Sequence, residues 1–200
     1  VDVPPRGLAY NPVRNETISL DSVSWKVNGE RWVPRGGEVE FSRIPPELWR
    51  SALQKARGAG LDVVQSYVYW IHHEEAEGKW DFSGWRDIGR FVQTAAEEGL
   101  FVHLRIGPFV HSEARNGGLP DWLYNIPGIQ LRTTDPVFLR YTTYFYGNLS
   151  AHLGHSAMWG QGGPVFAVQV DNEYSGPAEY LLTLANIAES VGTVSYTHLR

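Results

Sequence analysis

The chain has 200 residues, a formal net charge of −5 and no cysteine. The lack of cysteine excludes disulfides, thiolate metal sites and cysteine nucleophiles. The negative charge argues against a nucleic-acid partner, because phosphate binding needs a clustered basic surface. No stretch reaches the roughly 18 apolar residues of a membrane span. The chain opens at Val1 without a basic-then-apolar leader, so we expect a removed leader or a late start, and we favour an extracytoplasmic location.

Residues 1–35 are predicted to form an N-terminal extension that contains a β-hairpin. Two short stretches, 23–27 and 31–33, flank the dipeptide Asn28-Gly29. Asn-Gly is the strongest short turn signal between two strands, because both residues tolerate a positive φ.

From residue 36 onward, strand patterns alternate with helix patterns four times. Each strand is short and nearly continuously apolar, and each helix carries apolar residues at i, i+3, i+4 and i+7. The predicted strands are 37–41, 61–68, 101–106 and 165–170. The predicted helices begin near Pro45-Pro46, at a Ser83 cap, at Asp135-Pro136 and near Pro177.

This alternation predicts an α/β fold in which helices cover a parallel sheet. An open doubly wound sheet usually has a glycine fingerprint after its first strand, but here that strand runs into Ser42-Arg43-Ile44-Pro45-Pro46. We therefore predict a (β/α)₈ TIM barrel, of which residues 36–193 supply about the first four βα units.

A half-barrel would leave its first and last strands unpaired on one side. We expect strands one and four to be open edges, with Val64, Leu104 and Val168 facing inward and partly exposed. Residues 194–200 break the preceding helix and resemble a translated sequencing-library adapter, so we exclude them from the fold as a non-native tail.

Polar and aromatic residues follow each predicted strand, and barrel active sites lie at these carboxyl ends. Four tryptophans lie beside polar loops, where core packing is the simpler interpretation and sugar platforms are the alternative; they are Trp70, Trp80, Trp122 and Trp159. His72, His73, Glu74 and Glu75 lack the i, i+4 spacing of a zinc helix and are interpreted as loop residues.

Two further polar residues belong to the third strand and its loop. His111 lies beside Glu113 at a strand end, so contact with a substrate and a purely structural role are both open. Arg105 lies inside the strand and is expected to be paired with polar groups of neighbouring strands, because a buried charge must be paired.

The pair Asn172-Glu173 directly follows the fourth strand. Glycoside cleavage needs a carboxylic acid that protonates the leaving oxygen, and a second carboxylate on the other side of the sugar. An aromatic barrel mouth can raise the pKa of such an acid by desolvation. Asn172 adds an amide suited to a sugar 2-hydroxyl.

Three sequence blocks resemble the signatures of glycoside hydrolase family 35, the β-galactosidase family. The blocks are residues 162–174, ending in Asp171-Asn172-Glu173-Tyr174; residues 105–123, containing His111-Ser112-Glu113; and Ser66-Tyr67-Val68-Tyr69-Trp70. Many members have Cys or Ala before a Glu-Trp pair where this chain has His111-Ser112-Glu113-Ala114-Arg115. The resemblance therefore implies the reaction class and leaves the exact sugar open.

The resemblance implies a retaining exo-glycosidase that removes terminal β-galactosyl residues and needs no cofactor or metal. Glu173 would be the general acid/base, and the nucleophile, a Glu after strand seven, would lie beyond this chain. The implied substrate contacts are Tyr67, His111, Ser112, Glu113, Asn172 and Tyr174. Two alternatives stay open: hydrolysis of another β-glycoside, such as a glucosamine-terminated or galactan chain, and a non-catalytic sugar-binding homologue.

Overall fold

A computed structural model of the chain describes residues 9–111, 113–192 and 197–198. The N-terminal part is a four-stranded antiparallel sheet, the meander, in which consecutive strands are neighbours. Its strands are β1 Ala9–Asn11, β2 Glu16–Leu20, β3 Trp25–Val27 and β4 Glu30–Trp32. The β3–β4 pair is the predicted hairpin, and Asn28 and Gly29 have φ values of 53° and 84°, as a type I′ turn requires. The two strands before it were not predicted.

A second, parallel sheet follows, with its five strands in chain order. The strands are β5 Gly36–Glu38, β6 Val63–Tyr67, β7 Phe101–Gly107, β8 Val165–Val170 and β9 Thr197–His198. The first strand is shorter than predicted, because the chain turns into a 3-10 helix at Phe41–Arg43. The fourth strand is not an open edge throughout, because β9 pairs with Val168 and Gln169. The non-native origin of residues 194–200 stays a prediction, and most of them lie outside the described residues.

Helices pack against one face of the parallel sheet. They are α1 Trp49–Gly58, α2 Trp70–His73, α3 Ile88–Glu97, α4 Pro136–Leu153 and α5 Ala178–Ser190. As predicted, Asp135 caps α4, and its carboxylate accepts a hydrogen bond from the Phe138 amide at 2.8 Å. The predicted Ser83 cap is wrong for α3: Asp87 caps that helix, and Ser83 precedes a 3-10 turn. None of the helices in the described part is both long and apolar enough to cross a membrane.

The expectation that Val64, Leu104 and Val168 face inward is also wrong. All three are fully buried in the core that the sheet shares with the helices. Side chains alternate across a strand, so the opposite face carries the neighbouring residues instead. Trp70 and Trp159 are buried as well, which supports the packing interpretation for both, and Trp70 stacks on Phe145 of α4.

The other face of the sheet is apolar at the amino ends of the strands and more polar further along. At the amino ends of the strands, Val63, Phe101 and Phe166 pack against Ile18 and Trp32 of the meander. Beyond this floor lies a cavity of about 380 Å³ whose lining includes Gln65, His103, Arg105 and Gln169. We call the carboxyl ends of β5–β8 the mouth of the sheet.

Glu40 is a largely buried carboxyl two residues after β5. Its Oε1 accepts a hydrogen bond from the Tyr67 amide at 3.4 Å. Burial raises the pKa of the Glu40 carboxyl to about 7, and the negative charge of Glu38 adds to the rise. The folded protein therefore holds this proton more tightly than the unfolded chain does.

We predict that this proton makes the stability of the chain fall as pH rises. Stabilisation from the protonated group is present below the unfolded pKa, and it is lost as pH rises through the folded pKa near 7. Between pH 5 and pH 8 the loss should be on the order of 1–2 kcal/mol, allowing for incomplete burial. Glu40→Gln should lose less stability over this range in denaturant unfolding. The exposed Glu47→Gln is the control; equal losses in Glu40→Gln and in the wild type would contradict the prediction.

Candidate active site at the mouth of the parallel sheet

The loop after β7 brings several predicted site residues together. The Arg105 guanidinium lies 3.9 Å from the centre of the Tyr67 ring, and the His111 ring meets that ring edge-on at 5.0 Å. His111 Nδ1 contacts the exposed Glu113 carboxylate and also lies 3.1 Å from the backbone amide nitrogen of Glu113. Tyr67, His111 and Glu113 thus form one group at the mouth. Ser112, between them in sequence, lies outside the described residues.

One glycine, Gly117, permits the path of this loop. The Val110 amide donates to the Gly117 carbonyl at 2.8 Å, which folds the loop back on itself. Gly117 has a φ of 65°, and a Cβ there would lie 1.9 Å from the Phe109 ring. A larger residue would therefore force this ring to move, and the loop depends on glycine at position 117.

The turn after β8 is held by a buried carboxylate that was not predicted to matter. Asp171 is buried and accepts hydrogen bonds from Arg132 at 2.6 Å and from the Tyr180 hydroxyl at 2.7 Å. The backbone nitrogen of Asn172 also donates a hydrogen bond to the Asp171 carboxylate, at 2.7 Å. Burial raises the pKa of the Asp171 carboxyl, and these donors act in the opposite direction.

This turn has an unusual backbone. Asp171 and Glu173 have φ values of 52° and 48°, in the left-handed region that most residues avoid. Arg132 also donates to the Asn172 carbonyl at 2.7 Å, so one guanidinium holds both sides of the turn. The donors to Asp171 therefore stabilise a conformation that the local sequence alone would not favour.

The turn places Glu173 in the mouth. Its carboxylate is exposed and lies on the carboxyl-end side of β8, where β6 also ends at Tyr67. Burial is the main cause that raises the pKa of the Tyr67 phenol, and the charge of Glu173 is one of the smaller causes. The structure therefore brings Glu173 into the electrostatic neighbourhood of Tyr67, as the strand-end rule predicts.

Asn172 is tied to the neighbouring strands through Arg105. Arg105 Nη2 donates to Asn172 Oδ1 at 2.8 Å, and Gln169 Nε2 donates to the same oxygen at 2.9 Å. Arg105 also donates to Gln169 Oε1 at 3.0 Å and to Glu38 at 2.9 Å. The expectation that Arg105 is paired with polar groups of neighbouring strands is confirmed. Glu38 and Gln169 were not predicted to be its partners.

Tyr174 is not brought to this group. Its ring packs against Tyr180 of α5 with centroids 4.8 Å apart, and the Arg132 guanidinium lies 5.4 Å from its centre. The side chain also contacts the helix-side core. Its position gives Tyr174 a packing role between the turn and α5, and the predicted contact with substrate lacks support from the geometry.

Of the residues at positions 72–75, which were interpreted as loop residues, His72 and His73 belong to the short helix α2, and only His73 and Glu74 are buried. His73 is buried and stacks on Phe82 at 4.6 Å, and burial lowers its pKa to about 4. Glu74 is buried and accepts hydrogen bonds from the Trp70 indole and the Gly78 amide, both at 2.7 Å. These contacts fix the loop that follows β6.

The structure shares its fold with glycoside hydrolases of low sequence identity. Exo-beta-1,4-mannosidase Op5Man5 from Opitutaceae bacterium strain TAV5 has a TM-score of 0.61 at 18% identity, over 80% of this chain and 30% of that one. A GH5_18 protein from Streptomyces cattleya, solved in complex with GlcNAc, has a TM-score of 0.61 at 15% identity, over 83% of this chain and 43% of that one. The likeness shows a TIM-barrel-type fold.

Relatives of higher identity are named β-galactosidases. Beta-galactosidase 14 of Arabidopsis thaliana is 34% identical over 187 residues, which are 89% of this chain and 21% of the relative. Beta-galactosidase 6 of Oryza sativa subsp. japonica is 37% identical over 162 residues, or 80% and 19%. The chain thus spans about a fifth of the length of these relatives. The family model described as glycosyl hydrolases family 35 matches residues 24–198, and the chain belongs to that family.

Proposed function

We propose that the protein containing this chain is a retaining exo-glycoside hydrolase that removes terminal β-galactosyl residues. The observation that carries the proposal is the position of Glu173: an exposed carboxylate at the carboxyl end of β8, in the same mouth as Tyr67. In a family whose relatives are named β-galactosidases, this is where an acid can reach a bound glycosidic oxygen.

In the proposed mechanism Glu173 acts twice. It first gives its proton to the glycosidic oxygen while a nucleophilic carboxylate bonds to the anomeric carbon and the leaving alcohol departs. It then takes a proton from water, and that water displaces the enzyme carboxylate from the sugar. We assign the nucleophile to no residue of this chain.

The other mouth residues would bind the sugar. We assign the 2-hydroxyl to Asn172, and the positioning of the ring to Tyr67 and Glu113 with His111. The contact between His111 and the exposed Glu113 carboxylate supports this role, because it orients an acceptor for hydroxyl groups. Glu113 follows β7, the strand next to β8, and is expected to hold hydroxyls instead of attacking the anomeric carbon.

We further propose that the parallel sheet is the first part of a (β/α)₈ barrel. Consecutive parallel strands in chain order, with helices on one face, support this proposal. So does the polar cavity on the opposite face, because that face would become the interior of a closed barrel. The nucleophile would then come from a later strand at the same mouth.

The assignment of Glu173 predicts an effect that depends on the leaving group. In the full-length protein, Glu173→Gln should lower kcat/KM, which reports the step in which the leaving group departs, about 10²- to 10⁴-fold for substrates with basic leaving alcohols, and much less for activated aryl galactosides. A general acid matters most when the leaving oxygen is a strong base. Steady-state kinetics across a series of leaving groups measures this, with the exposed Glu179→Gln on α5 as the control. Equal losses across the series would contradict the assignment of Glu173.

This chain alone is predicted to be inactive. It should not hydrolyse a β-galactoside with a basic leaving alcohol, because retaining chemistry needs two carboxyl groups about 5–5.5 Å apart and the chain would supply only one of them. Soluble, purified residues 1–193 would be assayed beside their own Glu173→Gln variant. Turnover that disappears in the variant would show that the chain is active and that the second carboxylate lies within it.

A further inference from the structure

Arg105 distributes its hydrogen bonds over two strands, β5 and β8, and the turn after β8. Nη1 donates to Glu38 Oε2 at 2.9 Å, Nε to Gln169 Oε1 at 3.0 Å and Nη2 to Asn172 Oδ1 at 2.8 Å. Its side chain is only 15% exposed, and the guanidinium lies against the Tyr67 ring. The group is therefore fixed from several sides.

The chemistry of these groups determines which way both amides point. A guanidinium donates hydrogen bonds and accepts none, so the atoms that face it must be oxygens. Gln169 therefore turns its oxygen to Arg105, and its Nε2 donates to Asn172 Oδ1 at 2.9 Å and to the Asp171 carbonyl at 2.8 Å. Reversing either amide would place an NH₂ group against the guanidinium.

Asn172 is thereby restricted to one hydrogen-bonding role. Its Oδ1 accepts two hydrogen bonds, from Arg105 and from Gln169. Among the residues that the structure describes, none accepts a hydrogen bond from its Nδ2. The NH₂ group of Asn172 is left free to donate to another molecule.

We propose that Arg105 and Gln169, with Glu38 holding Arg105, are positioning residues that fix the Asn172 amide as a hydrogen-bond donor to the sugar 2-hydroxyl. This inference rests on the proposed function, in which Asn172 contacts that hydroxyl. Without the two donors the amide can rotate and present either end to the sugar. With them it presents only NH₂, and the hydroxyl must accept from Asn172 and give its own proton to another group.

The test compares two substrates in the full-length protein: an aryl β-galactoside and its 2-deoxy analogue. The ratio of their kcat/KM values reports what the 2-hydroxyl contributes. Arg105→Lys and Gln169→Glu should each lower this ratio about 3- to 10-fold, the value of one well-placed hydrogen bond. The change should lie mainly in kcat, because bonds to the 2-hydroxyl strengthen in the transition state. The exposed Arg140→Lys on α4 is the control and should leave the ratio unchanged.

Asn172→Ala distinguishes the contact between Asn172 and the sugar from the positioning role of Arg105 and Gln169. If this variant leaves the ratio at its wild-type value, the proposed contact between Asn172 and the 2-hydroxyl fails. If it lowers the ratio while Arg105→Lys and Gln169→Glu slow both substrates equally, the contact stands and the positioning role is overturned. Two positioning variants are used so that a folding defect in one of them does not leave the question undecided.

Discussion

The candidate active site depends on one buried carboxylate, that of Asp171. A buried carboxylate is stable only when hydrogen-bond donors surround it. Asp171 has three such donors: Arg132, Tyr180 and the backbone nitrogen of Asn172. These donors come from the loop after β7, from α5 and from the turn itself. Because they converge on one group, the left-handed turn at Asp171 and Glu173 has a fixed conformation. This turn determines the positions of Asn172 and Glu173.

Arg105 makes a second set of connections on the opposite side of the same turn. It links Glu38 at the end of β5, Gln169 within β8 and the Asn172 side chain. The turn is thus held from the helix side by Arg132 and from the cavity side by Arg105. Both arginines also lie over aromatic rings, Arg132 over Phe109 and Arg105 over Tyr67, each at 3.9 Å. The rings restrict how far either guanidinium can move.

The sequence predicts the order of strands and helices well and the two faces of the strands poorly. In β7 the polar His103 and Arg105 do alternate with apolar residues such as Leu104, but alternation alone does not tell which face of the strand the helices cover. The rule that sites follow strand ends led to the predicted site residues Tyr67, Glu113 and Glu173. It could not find Arg132 and Tyr180 as partners of Asp171, because they are 39 and 9 residues away in sequence and meet it only through tertiary structure.

The cavity-facing side of the sheet changes from apolar at the amino ends of the strands to polar further along, and this change explains why the site can be both polar and fixed. Near the amino ends, Phe101 and Phe166 form an apolar floor with the meander. Gln169 and Arg105 lie further along, where they hydrogen-bond to each other and to the Asn172 side chain. Because Arg105 and Gln169 are hydrogen-bonded to each other and lie next to the packed apolar residues, their side chains have few alternative conformations. The direction of the Asn172 amide is therefore determined within β7 and β8, before any sugar enters the mouth.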